Sequence, residues 1–258
     1  MGIIAKGNVT TFITEFLFCV ALWIVITRAR KGLKLPYIRR VSGLDALDEA
    51  IGRATEMGRP VHFSPGISDV DDAQTLASMA ILSYVAGKTA QHDVPLIVTN
   101  RKVIVQSLSE EIVKSAYLKE RKADAFNPDN IRYISDNQFG YATGVTGILR
   151  REKVATNILI GAFWAESLIF AQTGYEVGAI QIAGTANTHQ IPFFVAACDY
   201  CLIGDEVYAA SAYLSKESVL LGSLITSDFV KMGVIALLIV GSIFMYSRSN
   251  ALFDLLKR

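Results

Sequence analysis

Between Val61 and Leu214, apolar runs of strand length alternate with amphipathic stretches of helical length. Val61–Ser64, framed by Gly58 and Pro65-Gly66, predicts a strand, and Asp72–Lys88 follows with helical spacing. Further strands are predicted at Pro95–Thr99, Ile131–Ser135, Thr156–Gly161, Ala179–Ala183 and Tyr200–Gly204. Helices are expected over Val103–Ala123, Gln138–Arg151, Trp164–Thr173, His189–Ala197 and Glu206–Leu214, with Pro192 tolerable in the first turn of its helix. Continuously apolar strands, each followed by a helix, belong in a mainly parallel sheet covered on both faces. With right-handed crossovers this is an α/β, Rossmann-like or doubly wound domain. No Pro/Gly-rich linker divides Val41 to Ser227, so residues 43–227 read as one domain.

The pattern changes at both ends. Val9–Thr27 is an apolar run whose only charge is Glu15, and Phe229–Tyr246 is a second whose only charge is Lys231. Nineteen helical residues rise about 28 Å, close to the roughly 30 Å hydrocarbon core of a bilayer. Both runs are therefore expected to be transmembrane helices. A cleaved signal peptide fits the first poorly, since only Lys6 precedes it and no small-residue cleavage site follows. Arg28, Arg30, Lys31, Lys34, Arg39 and Arg40 come directly after the first run, before any acidic residue. By the positive-inside rule, residues 1–8 are external, the basic segment 28–42 and the central domain are cytoplasmic, and the tail 247–258 is external. Arg248, Lys257 and Arg258 in that tail run against the rule, but the first cluster is the stronger. The localisation expected is thus a two-pass protein of the cell membrane. Glu15 is costly in hydrocarbon, which predicts protonation or a polar interface in a homo-oligomer.

Composition agrees with this division. The 258 residues are 52% hydrophobic and 19% charged, with a mean hydropathy of +0.36, which excludes disorder and coiled coil. Lys+Arg 25 against Asp+Glu 24 provides no basic field for nucleic acid, so none is expected as a partner. Of the three cysteines, Cys19 falls in the first apolar run; Cys198 and Cys201 form one C-x-x-C inside an apolar stretch. One such pair completes neither a zinc site nor a redox helix start, so buried, reduced thiols are expected.

In an open parallel sheet, ligands bind beyond the carboxyl ends of the strands. In chain order, the polar or aromatic residues placed there are Ser64 and Asp69, Asn100, Asp136, Trp164 and Glu166, Thr185, Asn187 and His189, and Asp205. These are the ligand-binding candidates. The carboxylates and amides among them are donors suited to Mg²⁺ or Ca²⁺. Asp72, Asp136, Glu166 and Glu206 equally occupy positions of helix caps and first-turn acids. No Walker A or G-x-G-x-x-G phosphate loop and no G-x-S-x-G elbow is present. The Gly184–His189 loop is the best anion cradle, though it lacks a nearby cation. Of the histidines, His62 alternates into the sheet, His92 ends a helix, and His189 alone sits in a strand-end loop. No cofactor or catalytic residue is specified by these patterns.

The segments GAFWAES and AIQIAGTANTHQIPFFVAACDY, together with the terminal apolar run, resemble an uncharacterised prokaryotic membrane-protein family, a domain of unknown function. HFSPG and DVPLIVTN extend the likeness over most of the chain. The resemblance implies two terminal transmembrane helices around a central α/β domain, and no activity. Two function classes follow. One is a membrane-anchored, self-assembling module with the lipid bilayer and further copies of itself as partners and room for a small-molecule ligand. The alternative is a membrane-bound enzyme with a metal held by carboxylates at the strand ends.

Overall fold

The computed structural model describes residues 42–215 and 218–246, with helical pieces at 15–16, 18–20, 23–24 and 26–27. Residues 1–8 and 247–258, expected to be external, and the basic segment, apart from Ser42, lie outside the described residues, as does part of Val9–Thr27. Two compact units are present: residues 38–215, and the terminal segments 1–37 with 216–258.

The larger unit opens with a helix, α1 (Ser42–Met57), that the strand-and-helix pattern above does not include. Leu44, Leu47, Ala50, Ile51 and Ala54 recur at spacings of three and four and are all buried, while Glu49 and Arg53 pair on the solvent side at 2.8 Å. Gly58, at φ +61, ends it in the left-handed conformation that a residue without Cβ adopts freely. There follow β1 (Val61–Gly66), α2 (Ala73–Gln91), β2 (Leu96–Asn100), α3 (Val103–Lys119), two 3₁₀ turns (Ala123–Ala125 and Pro128–Asn130) and β3 (Ile131–Tyr133). The second half comprises α4 (Gln138–Glu152), β4 (Thr156–Ala162), α5 (Glu166–Glu176), β5 (Ile180–Thr185), α6 (Ile191–Ala197), β6 (Tyr200–Ile203) and α7 (Asp205–Ser215). Strand β3 is shorter than its apolar pattern suggests, ending at Tyr133, because Ser135 is taken up in a turn in which its Oγ accepts from Asn137 N–H at 3.1 Å.

All strand pairs are parallel, in the order β3-β2-β1-β4-β5-β6. This is the Rossmann order, with the direction of winding reversing between β1 and β4. Odd-numbered residues of β1 and even-numbered residues of β2, β4 and β5 (Val61, Phe63, Leu96, Val98, Ile158, Ile160 and Ile182) share one core with α1, α2, α3 and α7. Leu159 and Ala183 face the other core, with Tyr141, Phe163, Phe170 and Phe194 from the α4–α6 side. There the rings pack edge to face, with Phe163–Phe194 centroids 5.4 Å apart and Tyr141–Phe170 5.7 Å apart.

The terminal unit contains α8 (Ser218–Tyr246), 29 residues long; residues 218–227, grouped with the domain by sequence, belong to it. Lys231 lies 3.9 Å from Asp228, one turn back on the same helix. Among the described residues no helix is long and apolar enough to cross a membrane. The apolar run of α8 includes positions 237, 240 and 243–246, whose side chains lie outside that description.

Candidate functional site

The winding reversal directs attention to the carboxyl ends of β1 and β4. A bulge interrupts their register between Ser64 and Gly66, and Ile67 N–H donates to Ala162 O at 2.9 Å. Gly66 and Gly161 sit at φ +92 and +144, and a Cβ on either would collide with backbone across the pair, at Ala162 O and Pro65 O respectively. These two glycines let the strands close on each other where a crevice would otherwise begin.

The loops above are tied together by the chain's own side chains. Gln74, in the first turn of α2, accepts from Ala186 N–H at 2.7 Å and Thr185 Oγ1 at 3.2 Å, joining the β1 and β5 loops. Asn187 Nδ2 donates to Phe163 O at 3.1 Å, joining β5 to β4. Arg101 donates from Nε to Asp136 O and from Nη1 to Ile67 O, each at 3.0 Å, joining β2 to the β3 and β1 loops. Gln74 and Arg101 did not stand out in the sequence: neither belongs to a motif, and each acts on backbone far along the chain.

The sequence-derived candidates are thereby placed. Glu166 is buried; its Oε1 accepts from Trp164 N–H at 2.7 Å and its Oε2 from Gln138 Nε2 at 2.5 Å. Ser167 Oγ bonds Gln190 Oε1 and Trp164 O. Asp69 closes a local turn onto Val70 N–H, and Asp72 caps α2 through Gln74 N–H at 2.7 Å. Asp136 does not cap α4. Asn137 does, accepting from Phe139 and Gly140 N–H at 3.0 Å, while Asp136 is exposed and lies 3.4 Å from Lys102. Glu206 reaches back to Ile203 N–H, so the first-turn reading holds there. Trp164, His189 and Asp205 are exposed. Asn100 is buried with Oδ1 accepting from Ser109 Oγ at 3.0 Å; its Nδ2, and Thr75 Oγ1 in the first turn of α2, are buried without a protein partner among the described residues. Among those residues no group of three or more His, Cys, Asp or Glu side chains stands where it could hold a metal ion, so the candidate carboxylates do not converge.

Ser64 instead joins a buried polar chain under α4 and α5. Gln181 Nε2 donates to Ala171 O (2.8 Å) and Ala197 O (3.0 Å), leaving Oε1 to accept from Asn157 Nδ2 at 3.2 Å. Asn157 Oδ1 consequently faces His62 Nδ1 at 2.8 Å, which assigns the ring proton to that nitrogen. His62 Nε2 accepts from Thr99 Oγ1 at 2.9 Å. Tyr141 donates to Thr99 O at 3.1 Å and accepts from Ser64 Oγ at 2.7 Å. Every member is at most 2% exposed. Burial, partly offset by the Asn157 bond, lowers the His62 pKa to about 4, and burial raises that of Tyr141 to about 12. Neither is poised as a base for Ser64. The chain is instead a register device: each pair satisfies only when β5, β4, β1 and β2 are aligned as they are.

The half-buried thiols of the C-x-x-C are damped in the same way, while Cys19 is exposed. Cys198 and Cys201 are free thiols packed beside the second core; burial first, then neighbouring Asp199, raises Cys201 to about 11, and burial with Cys201 and Asp199 raises Cys198 to about 12.

A chain of this architecture matches one family description along residues 1–255: a domain of unknown function, DUF6754. The chain belongs to that family. The match spans both the α/β unit and the terminal segments, so the DUF6754 unit is the whole arrangement and not the sheet alone. No curated protein and no solved structure matches the chain.

Proposed function

We propose that the protein is a membrane-anchored, self-assembling scaffold whose α/β domain faces the cytoplasm and has no chemistry of its own. The observation that carries this reading is the closure of the carboxyl edge. Gln74, Arg101, Asn187 and Glu166 are committed to backbone or amide partners that join five loops. An enzyme of this strand order keeps such groups aimed at a ligand.

The anchor is supported by α8. At 1.5 Å per residue its length approaches 43 Å, and Phe229, Val230, Met232, Val234, Ile235, Leu238 and Ile239 are all exposed on it. A lone exposed leucine needs no explanation, but a helix apolar on successive faces does. Gly222, near the start of α8, lies against Ile26, near the end of the first apolar run. That contact suits two spans whose cytoplasmic ends meet. Self-assembly is supported by exposed large apolar side chains in the β4 loop and on α5 (Trp164, Leu168, Ile169), on α6 (Phe193, Val195) and on edge strand β6 (Ile203).

The test is extraction. Membranes carrying the full chain are washed with alkaline carbonate, and a cysteine at Ser42 is probed from outside intact cells. The reading expects the protein to stay in the pellet and the cysteine to remain unlabelled. Release by carbonate removes the anchor, and external labelling at position 42 reverses the topology.

A further inference from the structure

The larger of the two described cavities lies at the opposite end of the sheet. It measures about 340 Å³ and opens between the end of α2, the first residues of β2 and β3, α3 and the two 3₁₀ turns. Small-molecule pockets range over roughly 300–1,000 Å³. Its floor is apolar, with Leu96, Val113 and Ile131 buried. One wall is aromatic: the Tyr117 and Phe126 rings meet edge to face with centroids 6.1 Å apart. Asn127 and Asn130 complete the lining. Asn127 Oδ1 already accepts from Asp129 N–H at 3.0 Å, so its Nδ2 is the group it has to offer.

The mouth is built in an unusual way. Asp93 and Arg121 follow the ends of α2 and α3 with φ of +53 and +60, a conformation usually left to glycine at that position. They are two of the three non-glycine residues with positive φ among those described. Lys122 reaches across to both Asp93 carboxylate oxygens, at 2.7 and 2.8 Å, and clasps the two helix ends together. Backbone held in a sparsely populated region beside a cavity is an observation from which function can be inferred.

The geometry points to a binding site for a small, planar, uncharged heteroaromatic molecule, of the nucleobase class. Its ring would lie between the aromatic wall and the apolar floor, and the asparagine amides would serve its donors and acceptors together. An anion is disfavoured because no lysine or arginine is among the residues that line the cavity, and Lys122 beside it is paired with Asp93. The site is independent of the scaffold reading and lies away from the edge on which that reading rests.

The test uses the full chain in lipid nanodiscs and ligand-observed saturation-transfer NMR. Adenine at about 1 mM is the probe, benzoate is the anionic control, and empty nanodiscs are the blank. The proposal expects an adenine signal that Val113→Trp, which fills the cavity, abolishes and that Asn130→Ala, at the half-exposed rim, weakens about fivefold. Benzoate gives none. Should Val113→Trp fail to fold, Asn130→Ala decides alone, with circular dichroism confirming its fold. Adenine signals equal in wild type and Asn130→Ala overturn the site. So does a benzoate signal exceeding that of adenine, or the absence of any adenine signal.

Discussion

His62 makes the fold sensitive to acid in a way that can be calculated. In the unfolded chain the imidazole titrates near 6.5; in the sheet, burial holds it neutral down to about 4. Between those values the unfolded state binds a proton that the folded state refuses, so stability rises with pH across this window. The contribution is present in full above pH 6.5 and lost as pH falls toward 4. Each pH unit is worth up to about 1.4 kcal/mol, and the 2.5-unit gap about 3 kcal/mol, undiscounted because no water reaches the ring. The perturbation is His62→Gln, whose amide can still donate toward Asn157 and accept from Thr99. Urea unfolding of the two detergent-held proteins, followed by circular dichroism at pH 7 and pH 4, provides the comparison. Carboxylates lower the stability of both, but the wild type should lose about 3 kcal/mol more than the variant. Parallel losses would mean that His62 takes its proton in place, and the buried chain would not be closed to water.

Other sites give sharper tests of individual steps. Gly161→Ala, forced to φ +144 and into Pro65 O, should lower stability by at least about 2 kcal/mol in the same unfolding assay; an unchanged midpoint would mean that β1 and β4 can separate at no cost. Glu166→Ala leaves Trp164 N–H and Gln138 without their acceptor and should cost about 1–3 kcal/mol, or several degrees of melting temperature. In a Cys19→Ser background, Cys198 and Cys201 should react with a thiol reagent at pH 7.5 at least about 100-fold more slowly than a free thiol, and rapid labelling would show that the pair opens to solvent.

The sheet was legible because its strands are buried on both faces and so read as unbroken apolar runs. Helix α1 was equally patterned, with Leu44, Leu47, Ala50, Ile51 and Ala54 on one stripe, but the strand-and-helix alternation starts only at Val61, so residues 43–57 are counted in the domain without an element. Strand order was not legible, since a crossover helix of given length can lead to either side of a strand. The fate of the polar strand-end residues followed from that gap. Asn157, inside a run read as apolar and covered on both faces, has no visible role until its register partners, His62 on β1 and Gln181 on β5, are known. Gln74 and Arg101 carried no local signal because their partners are backbone atoms brought near only by the completed sheet. Caps were half visible: Asp72 is one, while Asp136 yields to Asn137, whose shorter-range geometry reaches two N–H groups.

The central claim, an anchored and self-assembling chain, is tested most directly by light scattering coupled to size exclusion in a mild detergent, with protein and detergent masses separated. The account predicts a protein mass that is a multiple of 28.2 kDa carrying a bound detergent belt. A monodisperse 28.2 kDa particle that stays in solution without detergent would contradict it.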